Sequence, residues 1–150
     1  MDRKRLVKHL VFLMFFIFIV NLSAQQFHWY FSVWYFDMFM HFLGGFWVGL
    51  ASLYFFFSAS ESFGLSLESK ALTGIILKIL LCVLFIGIGW EIFEISVDKI
   101  IIQNPFNILD TFSDILFDLT GGATTVFYFL KRIMLQSKSG SLGDSLKDRP

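Results

Sequence analysis

Residues 110–122 read DTFSDILFDLTGG, and this stretch decides the fold. It sets Asp110, Asp114 and Asp118 inside a segment that otherwise has the apolar content of a membrane-spanning helix. At about 100° per residue, side chains four apart lie roughly 40° from one another, so the three carboxylates form one stripe on one helix face. Lipid cannot solvate such a stripe. Each acidic side chain at bilayer depth costs about 2.5–3.5 kcal/mol even on the lenient insertion scale, so the stripe must face protein, water, protons or a metal.

The rest of the chain agrees that the solvent is lipid. Of its 150 residues 56% are hydrophobic and 19% aromatic, 21 of them Phe, with a mean hydropathy of +0.70. That is more apolar surface than a small soluble globule can hide, and it predicts an all-α integral membrane helical bundle. Lys and Arg gather towards the two termini rather than on a folded basic face, which excludes a nucleic-acid-binding surface. Cys82 is the single cysteine, so no disulfide within the chain is available.

Outward from the acidic stretch, the apolar runs predict four spans, at about 6–24, 33–57, 71–97 and 108–130. The first begins with Arg3, Lys4, Arg5 and Lys8 and ends in Leu22-Ser23-Ala24, so it reads either as a retained helix or as a cleavable signal peptide that would leave three spans. Trp29, Tyr30, Trp34 and Tyr35 mark a membrane–water interface before the second span. A serine-rich loop covers 58–70, and Asn104-Pro105 lies in a turn from Asp98 to Asn107, with Asn107 as the cap of the fourth helix. Residues 1–132 form the membrane domain, and 133–150 lack apolar periodicity and read as a disordered cytoplasmic tail. Basic residues at both ends place both termini in the cytoplasm by the positive-inside rule.

With that topology, Asp37 and His41 fall in the first two turns of the second span and Glu91 and Glu94 in the last two turns of the third. Asp110 and Asp114 open the fourth, so all six lie on the extracytoplasmic side, while Asp118 sits nearer the midplane. Helices two and four also share a pattern. Asp37-x-x-x-His41-x-x-Gly44-Gly45 is matched by Asp114-x-x-x-Asp118-x-x-Gly121-Gly122, which suggests two parallel-repeat hairpins about an axis along the membrane normal. The paired glycines permit the close helix approach that would bring the acidic faces together.

Three kinds of function follow from that convergence. The groups could hold a divalent metal ion for hydrolysis or transfer, with Asp37, His41, Glu91 and Asp114 as ligands and Glu94 or Asp110 as base. They could instead carry protons or cations, for which Asp118 would be the deep step. Or they could hydrogen-bond one another and cap helices, as a structural or regulatory membrane partner would require.

The Asp37/His41/Gly44-Gly45 motif, the Trp90-Glu91-x-x-Glu94 run and the Asp110/Asp114/Asp118 series ending in Gly121-Gly122 resemble the VanZ-like and YjdF-like small bacterial membrane proteins over roughly residues 30–130. The resemblance implies a compact bundle of four or five spans in the bacterial inner membrane, with membrane lipid or a lipid-linked envelope precursor as partner. It also carries Asp37, His41, Glu91, Glu94, Asp110 and Asp114 over as motif residues. Gly44-Gly45 and the second Glu replace the Tyr after the His and the Glu-x-x-Gln of the VanZ pattern, which brings the chain closer to the YjdF-like proteins.

Overall fold

A computed structural model describes the backbone of residues 3–62, 69–102 and 107–147, and among these it is helical with no strand. The elements are α1 (Arg3–Gln26), a short α2 (Trp29–Ser32), α3 (Phe36–Ser62), α4 (Ser69–Val97) continued by a π-helical turn (Asp98–Ile102), and α5 (Ile108–Lys147). The distribution of side chains is that of a membrane bundle. Phe12, Phe85, Leu109 and Phe127 are exposed, while His41, Glu91, Asp114, Asp118 and Thr125 are buried. Apolar groups outside and polar groups inside are stable only where the surroundings are lipid.

α1, α3 and α4 are each long and apolar enough to cross a membrane: Lys4–Gln26, Phe36–Phe56 and Leu72–Ile100. α5, expected as the fourth span, is less apolar because of its acidic stripe, of which Asp114 and Asp118 are buried and Asp110 is exposed.

Several boundaries differ from the sequence expectation: α1 begins at Arg3, and α3 runs on to Ser62 and α4 begins at Ser69, into the expected 58–70 loop. The second span begins at Phe36 rather than near residue 33, because Val33 is extended and residues 34–35 turn. The chain reverses between α1 and α2 at His28, a non-glycine residue in the left-handed region at φ 57°. α5 continues past 132 to Lys147, through the segment read as a tail; with no proline between Pro105 and Pro150, a helix already nucleated in the bundle can propagate. The Asn104-Pro105 turn lies outside the described residues. Its expected cap does not: the backbone N–H of Leu109 donates to Asn107 Oδ1 at 3.2 Å.

α3 and α5 run in the same direction and pack most closely. Their glycines set the distance. A Cβ on Gly45 would collide with the Asp118 carbonyl, and one on Gly121 with the Phe42 carbonyl, so only hydrogen fits at either position. The Thr125 hydroxyl donates to the Phe46 carbonyl at 3.0 Å and ties the helices one turn further on. Beyond it, Leu53, Ile75, Ile79, Val126 and Phe129 form a buried apolar core of α3, α4 and α5. α4 packs on both α3 and α5, whereas α1 packs on α3. There the Trp47 indole N–H donates to the Leu10 carbonyl at 2.9 Å.

Candidate metal centre

The polar half of the bundle is built around His41. One turn after Asp37 on α3, it points into the space enclosed by α4 and α5 and is 6% exposed. Its two ring nitrogens face different partners. Nδ1 lies 3.4 Å from Asp118 Oδ2, while Nε2 lies 3.9 Å from Asp37 Oδ1 and 3.8 Å from Glu91 Oε1. A carboxylate accepting the Nδ1–H fixes the tautomer that leaves the Nε2 lone pair free.

Two overlapping groups of donors could hold an ion, Asp37–His41–Asp114 and His41–Glu91–Glu94, and within each group one donor atom per residue lies within 4.8 Å of the others. Ligands on opposite sides of an ion at about 2.0–2.6 Å stand about 4–5 Å apart, so both groups have the size of a coordination sphere. Among the described residues, two buried carboxylate oxygens have no hydrogen-bond partner. Glu91 Oε1 and Asp114 Oδ1 are buried without a hydrogen bond, on side chains whose residues are 4% and 3% exposed. A buried carboxylate oxygen without a donor costs about 1–3 kcal/mol or more, so these atoms ask for a cation or a proton.

The sequence-predicted residues fall into two sets that share His41: Asp37 and Asp114 stand with it in one group and Glu91 and Glu94 in the other, and neither group holds all four expected ligands. Asp110 stands in neither group, and its side chain at the first turn of α5 is exposed. Asp118 contacts the far side of His41. Thr120 donates to the Phe117 carbonyl of its own helix and orients no carboxylate.

The paired positions of α3 and α5 also meet. His41 and Asp118, 77 residues apart, contact each other, and Asp37 and Asp114, with the same separation, share a donor group. Corresponding residues facing one another is what an axis between two parallel helices requires. The relation stops there, because α1 does not repeat the packing of α4.

Gly87 on α4 belongs to the site but is not singled out by the sequence. A Cβ there would stand 2.7 Å from Asp118 Oδ2, so its absence makes room for the carboxylate. The signal lies in the spacing: Gly87 is one turn before Glu91, on the same face. Asp118 is thus lodged between Gly44 and Gly45 of α3 and Gly87 of α4.

A lipid-facing helical bundle with a buried histidine–carboxylate cluster defines an integral membrane protein with an intramembrane polar site. The chain belongs to a family described as "Predicted membrane protein (DUF2238)", which matches residues 2–134 and so includes α1. No curated protein and no solved structure matches it.

Proposed function

We propose that the protein binds a divalent cation through His41 and the carboxylates around it and uses it in hydrolysis or transfer on a lipid or lipid-linked envelope precursor. The observation that carries this reading is the division of labour on His41. Nδ1 is engaged by Asp118 and Nε2 is turned towards Asp37 and Glu91, the carboxylate–histidine–metal arrangement found where an imidazole serves as ligand. The basic residues at the chain ends support an extracytoplasmic opening for the site in the bacterial inner membrane, and the VanZ-like and YjdF-like motifs are in keeping with an envelope role.

In a hydrolysis, the cation would polarise the scissile phosphoryl or carbonyl oxygen and lower the pKa of a bound water. With the cation held by Asp37, His41 and Asp114, the water oxygen would bond to phosphorus or carbon as the ester bond breaks, and half-buried Glu94, left free as base, would take its proton and pass it to the leaving oxygen. Exposed Asp110 is the less favoured base. Protein purified in mild detergent should retain about one metal ion per chain by elemental analysis. A chain that retains none and takes up none on titration overturns the reading.

A second reading, a proton- or cation-linked carrier, draws on the continuity from Glu91 and Asp37 through His41 to Asp118. The buried apolar core beyond Asp118 weighs against it, since among the described residues no further ionisable group is buried there. A non-catalytic structural role is the least supported, because a cluster that serves only to fix the bundle would satisfy its own oxygens.

A further inference from the structure

A second feature opens onto the same cluster from the side. Between α1 and α4, whose backbones do not approach one another among the described residues, lies a cleft of about 370 Å³ whose floor is α3, with Asp118 of α5 showing between Gly44, Gly45 and Gly87. That volume falls in the range of about 300–1,000 Å³ typical of small-ligand pockets.

We infer that this cleft is a lateral binding site for one hydrocarbon chain of a membrane amphiphile, whose polar end rests against His41 and Asp118. The inference rests on the reading of the cluster as a functional site. Its lining is graded along the membrane normal. Asn21, Tyr30 and Trp90 supply polar groups at the α2 end, and the Tyr30 hydroxyl donates to Asn21 Oδ1 at 2.8 Å. Deeper than Asp118, Met14, Val48 and Val83 line it with apolar side chains, and the indole N–H of Trp47 is taken up by the Leu10 carbonyl.

A water-soluble substrate has no use for that deeper half. An amphiphile of the leaflet at the α2 end, with its polar end drawn in from Tyr30 as far as His41 and Asp118 and its tail running deeper, matches both halves in order. Entry from the side follows from the walls: among the described residues the backbone of α1 comes close to that of α3 and of no other long helix, and its Met14 face and Ile86 of α4 are exposed at the mouth. The two buried polar groups at the floor, His41 and Asp118, distinguish this cleft from an ordinary lipid-facing groove.

The test uses the full chain in detergent with Trp29→Phe and Trp34→Phe, leaving Trp47 and Trp90, both at the cleft, as the fluorophores. The probe is a long-chain alkanol brominated at its chain end, a contact quencher whose neutral head needs no cation. Quenching should saturate and be relieved by the unbrominated alkanol. Val48→Phe, and Ile86→Phe should the first fold poorly, should raise the half-saturating concentration about tenfold by filling the cleft. Quenching that rises linearly without saturation, or that both filled variants leave unchanged, overturns the site. Mn²⁺ titration of the same preparations separates the two claims: saturable quenching in a protein that binds no cation keeps the cleft and removes the proposed function. Competition by an alkyl phosphate only when Mn²⁺ is present joins them.

Discussion

His41 Nδ1 lies 3.4 Å from Asp118 Oδ2, joining positions on α3 and α5 that occupy the same place in their Asp-x-x-x-(His/Asp)-x-x-Gly-Gly motifs. The contact sits where the two helices come closest, and the glycines on either side hold it there. Asp118 is therefore best understood through the imidazole it orients, with Nε2 presented to Asp37 and Glu91 as the consequence.

Asp118→Asn should weaken cation binding about 10–100-fold while leaving the ligand set intact, the usual loss when the outer partner of a metal-ligating histidine is altered. Mn²⁺ titration in detergent reads this directly. Full affinity in the variant, with cation flux lost in liposomes, would transfer Asp118 from a positioning role to a pathway.

Glu91→Gln and Asp114→Asn test whether the cluster exists for the fold. Each replaces a buried acid that has an unpartnered oxygen by a neutral group of the same shape. In metal-free protein the melting temperature should hold or rise, because crowded like charges are relieved, while cation affinity falls sharply. A fall of several degrees in both variants would show that the carboxylates serve structure.

Adjacent glycines should respond differently to the same change. Gly45→Ala and Gly121→Ala drive a methyl into the backbone of the facing helix and should cost about 1–3 kcal/mol or more. At Gly44 the nearest atom to an added Cβ is Asp118 Oδ1 at 3.8 Å, an ordinary contact, so Gly44→Ala should be neutral or gain about 0.5–1 kcal/mol from helix propensity. Thermal unfolding in detergent separates them, and equal effects at Gly44 and Gly45 would contradict the packing described for α3 and α5.

Tyr30, in the short helix outside the spans, has its hydroxyl pushed up to about 12 by burial and then by the negative charges of Asp37 and Glu94. Because the folded value lies above the ordinary 10.0, the stability it contributes is full below pH 10 and is lost as the pH rises towards 12. Melting temperatures across that window should fall in the wild type and fall less in Tyr30→Phe; identical slopes would place the alkaline sensitivity elsewhere.

The spans and the inward acidic faces were legible because both signals are local. Apolar runs of sufficient length declare a helix in lipid, and spacings of three and four residues put Asp37 with His41, Glu91 with Glu94 and Asp110 with Asp114 whatever the rest of the chain does. What depends on packing between helices was not legible. Nothing in the sequence places the Trp47 indole on Leu10, turns the aromatic stretch at left-handed His28, or leaves α1 apart from α4 so that a cleft reaches Asp118. Asp110 shows the same limit from the other side. Spacing puts it on the stripe of Asp114 and Asp118, but at the first turn of α5 the neighbouring helices no longer cover it.

The central claim is that His41 is a metal ligand through Nε2, and electron spin-echo spectroscopy of Mn²⁺ bound to the detergent-solubilised protein tests it most directly. One bound ion with coupling to a single histidine nitrogen, lost in His41→Gln and retained in His28→Gln, is the predicted result. Tightly bound Mn²⁺ without nitrogen coupling, or coupling that survives His41→Gln, would contradict it.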